Sequence, residues 1–195
     1  VAGVWFDGWW DKPNADWGLD TTYGLIHELA PGALIGNNHH LDPFDGEDFQ
    51  MWEKDLPGQN RAGYSDKAKV SAVMPLETCD TLHGDKSWGY TFNHTAKPLR
   101  EVVHMLVRAA GHNANLLLNV GPMPTGAIQP EYEERLLEVG RWLETYGDTI
   151  YSTRGGPFPP EAWGVFTHRD NVIFVHVLSF SGRKLVVNGG MRAGV

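Results

Sequence analysis

The chain of 195 residues contains a single cysteine, no long apolar run and no concentration of positive charge. With Cys79 alone, an internal disulfide and a cysteine-based zinc site are both excluded. Without an apolar stretch long enough to span a bilayer, or a signal peptide in this chain, the expectation is a soluble protein with no membrane partner. The compartment stays open between a bacterial cytoplasm and a secreted or periplasmic setting. Lys and Arg number 16 against 24 Asp and Glu, a net charge of −8, so a polyanion such as nucleic acid is excluded as a partner. A neutral or cationic ligand suits the charge better. What the chain does have is eight Trp, 23 Gly and 12 Pro, a composition that suits a carbohydrate site as well as a β-rich domain.

Short apolar runs alternate with amphipathic segments along the first three quarters of the chain. Residues 1–6 read as a strand, and 20–29 as a helix with Leu25, Ile26 and Leu29 on its inner face before Pro31-Gly32 stops it. Residues 33–36 are a doubly buried strand opening into Asn37-Asn38-His39-His40. Residues 41–72 read as one long polar loop, of a length that is usually functional. A strand is expected over 73–78, then a helix from Pro98 to Gly111 with Leu99, Val102, Val103, Leu106, Val107 and Ala110 at helical spacing. Leu116-Leu117-Leu118 is the next buried strand, and a second helix runs from Pro130 to Gly147, with Leu136, Leu137, Gly140 and Leu143 inward. This alternation implies a parallel α/β architecture. No Gly-rich phosphate loop follows any strand, which favours a barrel over an open doubly wound sheet. After Arg154 the segments 163–167, 172–178 and 184–187 read as strands of an antiparallel β region.

Chemistry is concentrated where strands end. Asp7 closes the strand in Val4-Trp5-Phe6-Asp7-Gly8-Trp9-Trp10, the position at which parallel barrels hold catalytic groups. Glycoside hydrolysis needs a second carboxyl, and Glu47, Asp48, Glu53 and Glu77 all lie on segments that a parallel sheet brings beside Asp7. A solvated acidic loop is the plainer reading of Glu47, Asp48 and Glu53. Glu77, at an apolar strand end, is expected to be paired or perturbed. His39 and His40, with Asp42 and Asp45, offer metal-ligand types, but adjacent histidines diverge on an extended chain and no third ligand stands at the right spacing. The expectation is no metal, and imidazoles that donate to sugar hydroxyls. Trp9, Trp10, Trp88 and Tyr90 could form an aromatic wall or pack in the core. Asn93-His94-Thr95 is a glycosylation sequon of meaning only in a eukaryotic secretory setting.

Four segments in order resemble the retaining α-L-fucosidases of glycoside hydrolase family 29. They are Val4-Trp5-Phe6-Asp7-Gly8; Leu76-Glu77-Thr78-Cys79 with Ser87-Trp88-Gly89-Tyr90; Asn115-Leu116-Leu117-Leu118-Asn119-Val120-Gly121-Pro122; and Gly140-Arg141-Trp142-Leu143 with Ile150-Tyr151-Ser152-Thr153-Arg154. The resemblance implies that Asp7 is the nucleophile at the end of the fourth strand of a (β/α)8 barrel. Asp48-Phe49-Gln50-Met51-Trp52-Glu53 resembles a family loop whose final Glu is the acid/base, so Glu53 is the first choice for that role and Glu77 the second. His40 and Trp88 are the implied substrate contacts, and the residue reading adds Trp9 from the aromatic wall and His39 as a donor to sugar hydroxyls. The implied reaction removes terminal α-L-fucosyl groups from a glycan or aryl fucoside through a covalent fucosyl-enzyme, with no cofactor. The alternative is a catalytically weak or inactive fucose-binding half-barrel. On this reading residues 1–154 are strands four to eight of a partial TIM-like barrel, and 155–195 begin a truncated β-sandwich. Half a barrel leaves an apolar face and sheet edges open, so a homo-oligomer that completes it is expected.

Overall fold

A computed structural model describes residues 1–65, 68–92 and 95–187. The chain is mixed α/β and divides into two compact units, residues 1–79 and those from Asp80 onward. Asn93 and His94 of the sequon lie outside the described residues. No helix among the described residues is long and apolar enough to cross a membrane.

In the first unit, β1 (Gly3–Phe6) pairs in parallel with β2 (Leu34–Asn37), Trp5 standing level with Gly36 and Phe6 with Asn37. Between them run a 3-10 turn (Trp9–Asp11) and helix α1 (Leu19–Leu29). Gly8, at φ 79°, makes the sharp exit from β1 that a side chain would strain. The buried stripe of α1 is not the expected one. Leu25 and Leu29 are exposed, and the face turned inward is Leu19, Tyr23, Ile26, His27 and Ala30, with Tyr23 fully buried. Two of its members carry polar tips, so an apolar count reads the helix one position out of phase. The Tyr23 ring lies 5.3 Å from that of Phe6, seating the helix on β1.

The segment 41–72 is not one continuous loop. It contains β3 (Gln50–Glu53), which pairs in parallel with β4 (Leu76–Thr81) in the register Met51 to Glu77 and Glu53 to Cys79. The fourth strand therefore starts and ends three residues later than expected. Asp48 ties β2 to the approach of β3: its N–H donates to Ile35 O, and its Oδ2 accepts from Ile35 N–H, each at 2.8 Å, with His27 Nε2 at 3.0 Å. Ile35, Met51, Trp52, Leu76 and Cys79 are buried around these strands.

The second unit holds α2 (Leu99–Gly111), β5 (Ala114–Asn119), α3 (Pro130–Tyr146), a 3-10 turn, and an antiparallel ladder of β6 (Arg154–Gly155), β7 (Gly164–Arg169) and β8 (Val172–Val177). Val102 packs with Leu82 and Tyr132, and Val107 with Val165 and Leu178, so α2 joins two parts of the core. On α3 the inward residues are Tyr132, Leu136 and Val139, whereas Leu137 and Gly140 are exposed. Residues 184–187 form no strand.

Candidate active site

Side chains on a strand alternate, so Trp5 and Asp7 face one way while Phe6 faces α1. The β1–β2 register then puts Asn38 level with Asp7 on that same side, and Asn38 N–H extends the ladder to Phe6 O at 2.9 Å. A Cβ at Gly36 would meet Phe49 and Met51, which places β3 close beneath β2 on this face. Glu53 follows Met51 by two residues and so stands at the same end as Asp7 and Asn38.

The Asn38 amide joins the two carboxylates. Its Nδ2 donates to Asp7 Oδ1 at 3.2 Å and to Glu53 Oε2 at 2.9 Å. Those two legs hold the two bonded oxygens within about 6 Å of one another, near the roughly 5–5.5 Å between carboxyl groups that direct attack uses. Asn38 is 1% exposed, Glu53 half-buried and Asp7 exposed, so the pair opens to solvent on the Asp7 side. The carbonyl of the bridging amide, Asn38 Oδ1, is buried without a hydrogen-bond partner.

His40 borders Glu53, with Nε2 3.9 Å from Oε2. Its backbone is left-handed, φ 63°, and this turn inserts the imidazole between Trp10 and Tyr64, at 5.0 and 5.3 Å between ring centres. Burial lowers its pKa, against the opposing pull of the Glu53 charge. His40 Nδ1 is buried and unpartnered.

His39 is placed differently. Leu41 N–H donates to Nδ1 at 3.0 Å, so the ring hydrogen sits on Nε2, which donates to the Glu47 carboxylate at 3.1 Å. Both nitrogens are thereby committed inside the protein. Glu47 also accepts from Tyr23 O–H at 3.1 Å and from Phe44 N–H at 3.1 Å, and Tyr23 accepts from Asn37 Nδ2 at 2.7 Å. Burial, reinforced by the Glu47 charge, pushes the Tyr23 hydroxyl up to about 12. Glu47 and Asp48 are thus internal hydrogen-bond hubs, not a solvated acidic loop.

Glu77 stands opposite Met51, one layer deeper in the sheet than Glu53, and its Oε1 accepts from Trp5 Nε1 at 3.0 Å. Desolvation raises its pKa, and the indole hydrogen bond partly offsets that. Trp9 meets His39 and Phe44 edge-on at 6.1 and 5.7 Å. Trp88 belongs to the second unit, where its carbonyl accepts from Asn119 Nδ2 at 2.7 Å. Among the described residues no three His, Cys, Asp or Glu side chains are grouped to hold a metal ion. The residue that sequence reasoning passed over is Asn38. Its signal was available, since a parallel partner of β1 puts the residue after the strand beside Asp7.

Residues 2–148 match the family described as Alpha-L-fucosidase. The tissue alpha-L-fucosidase of Mus musculus is 28% identical over 160 residues, which is 77% of this chain and 32% of the mouse protein. The plasma alpha-L-fucosidase of Homo sapiens is 30% identical over 192 residues, covering 91% of this chain and 38% of the human one. Among solved structures, alpha-L-fucosidase isoenzyme 1 from Paenibacillus thiaminolyticus has a TM-score of 0.69 at 29% identity, over 91% of this chain and 42% of that one. The chain spans about a third of the length of the curated relatives it matches. With most of its residues inside the family match, this chain belongs to the alpha-L-fucosidase family.

Proposed function

We propose that this chain carries the nucleophile and the acid/base of a retaining α-L-fucosidase, Asp7 and Glu53 respectively. The observation that carries the reading is the Asn38 amide spanning both carboxylates, which brings an oxygen of each within about 6 Å of the other, near the short separation that direct attack uses. In the first step an Asp7 oxygen bonds to the anomeric carbon as the bond to the leaving oxygen breaks. Glu53, protonated on the oxygen that Asn38 does not bind, gives that oxygen its proton. In the second step Glu53 takes a proton from water, the water oxygen bonds to the anomeric carbon, and the Asp7 carboxylate departs. Two inversions leave the α configuration unchanged.

Glu53 is preferred to Glu77 because Glu77 lies a layer deeper and is engaged by Trp5. His40 and Trp9 remain assigned to the sugar, and Trp88 is kept with them on the family motif alone. His39 is reassigned to positioning, as both its ring nitrogens are occupied. Strands β1 to β5 are proposed as the fourth to eighth of a (β/α)8 barrel, and residues 155–195 as the start of a β-sandwich. The parallel pairing before Asn119 and the antiparallel pairing after Arg154 support that division.

The test is hydrolysis of an aryl α-L-fucoside, followed by NMR of the first-formed sugar. The α anomer is expected to appear first, and azide is expected to restore turnover to Glu53→Ala but not to Glu77→Ala. A β-anomer product, or equal rates for the parent and Asp7→Ala, would remove the assignment.

A further inference from the structure

Glu53 is followed by a loop that neither step of the reaction uses, and that loop is built around a buried carboxylate. Lys54, at φ 57°, turns the chain out of β3 while its N–H continues the ladder to Cys79 O at 2.8 Å. Asp55, 4% exposed, then takes two backbone donors from farther along the chain. Its Oδ1 accepts from Arg61 N–H at 3.0 Å and its Oδ2 from Ala62 N–H at 2.8 Å. Its own carbonyl accepts from the Thr78 hydroxyl on β4. Asn60 Oδ1 closes the far side by accepting from the N–H of buried Ser65 at 2.9 Å. The loop is thereby tied to the sheet at one end and to itself at the other, so ordering it costs nothing further when substrate binds.

The residue presented between these ties is Tyr64. Its ring packs on His40, as does the ring of Trp10 from the loop that leaves Asp7. Trp10 and Tyr64 are 44% and 46% exposed, whereas the His40 side chain they cover is 9% exposed, so the two rings meet solvent in its place. The covered imidazole is the one that borders Glu53. Burial disfavours its charged form. Among the described residues, Glu53 and Asp7 favour that charge and His39 opposes it, while the phenol of Tyr64 completes the surroundings.

We propose that Tyr64 and Asp55 are positioning residues of the acid/base: Asp55 holds the loop, and the loop closes Tyr64 over His40 so that a shielded imidazole is kept against Glu53. The inference rests on the assignment of Glu53 as the acid/base. Its consequence is electrostatic. Uncovering His40 returns the ring to water, and it then stays cationic to higher pH. A cation beside Glu53 favours the carboxylate, so Glu53 gives up its catalytic proton at lower pH.

The test is the pH dependence of kcat/KM on an aryl α-L-fucoside for the parent, Tyr64→Ala, Tyr64→Phe and Asp55→Asn. Tyr64→Ala should lower kcat/KM by about 2- to 5-fold near pH 6 and carry the alkaline limb to lower pH, the loss vanishing toward about pH 4. Tyr64→Phe, which keeps the ring, should follow the parent. Asp55→Asn, which turns one acceptor oxygen into a donor facing a backbone N–H, should show the limb of Tyr64→Ala. Because Tyr64 lies at the surface, its variants test the clamp even where Asp55→Asn does not fold. A lower rate with the alkaline limb unmoved in Tyr64→Ala would overturn the proposal, as would Tyr64→Phe losing as much as Tyr64→Ala. The parent's limb in Asp55→Asn would remove Asp55 from it. If the parent turns over no fucoside, the catalytic reading fails, and the clamp is decided by NMR of ring-labelled histidine, the His40 signal being the one absent from His40→Gln. A His40 midpoint that rises in Tyr64→Ala and stays in Tyr64→Phe supports the clamp, and a midpoint unmoved in Tyr64→Ala overturns it.

Discussion

A primary amide has two N–H donors, and at Asn38 one is aimed at Asp7 and the other at Glu53. The contact engages one oxygen of each carboxylate, and the proposed mechanism uses the other for bond making and proton transfer. Replacing Asn38 by Asp keeps the volume but substitutes a third negative charge for the donors. Carboxylates crowded by like charge hold protons more strongly, so the acid limb of the kcat/KM profile should move to higher pH and kcat should fall by about 10²-fold. An unchanged profile for Asn38→Asp would mean the amide bridges nothing that matters. Asp7→Ala removes the attacking atom and should lower kcat by about 10³-fold or more in the same assay. Glu77 offers a separate stability test. Burial raises its folded pKa, so the folded protein holds that proton to higher pH than the unfolded chain does. The native state is therefore favoured most below the ordinary carboxylate range and loses that contribution as pH rises through the raised value. Glu77→Gln keeps an acceptor for Trp5 and cannot ionise. Its Tm relative to the parent should rise between pH 4 and pH 7, and a pH-independent difference would contradict the burial of Glu77.

At the scale of elements, the site exists because parallel register fixes which strand-end residues share a level. Gly36 lets this happen: a side chain there would collide with the Phe49 ring and with Met51 Cε, forcing β2 away from β3. Gly36→Ala should cost about 1–3 kcal/mol, read as a lower Tm, and should depress hydrolysis because Glu53 moves with Met51. Wild-type activity in that variant would argue against β3 as the carrier of the acid/base. Most of the strands and helices were legible in the sequence, because apolar runs and Gly or Pro stops bounded them. β3 was not, since Gln50-Met51-Trp52-Glu53 is polar at both ends and sits between Asp48 and Lys54. The phase of α1 was hidden because Tyr23 and His27 bury rings whose polar tips go to Glu47 and Asp48. Asp7 could be found as a strand-end carboxylate, Glu53 was singled out only by the resemblance of 48–53 to a family loop, and the deeper layer of Glu77 depended on a register that composition does not encode. His39 and His40 looked alike as neighbours. The left-handed turn at His40 is what separates the ring facing Glu53 from the ring buried against Glu47.

For the whole molecule, β1 has β2 as its one hydrogen-bonded neighbour among the described residues, so its other edge is open. Trp5 on this strand is 37% exposed, an aromatic surface that further strands or a second copy would cover. Sedimentation of this chain at micromolar concentration is expected to give a dimer or larger species. A stable, well-folded monomer would rule out self-association as the way that edge is covered. The central claim, that Asp7 attacks while Glu53 assists, has a direct chemical readout. Incubating the chain with a 2-fluoro-fucosyl fluoride should slow release of the sugar more than its attachment, leaving a covalent adduct. Mass spectrometry of the digested protein should find the fluorofucosyl group on the peptide that contains Asp7, and no adduct in Asp7→Ala. An adduct on any other carboxylate would contradict the assignment, as would turnover of aryl fucoside without any adduct.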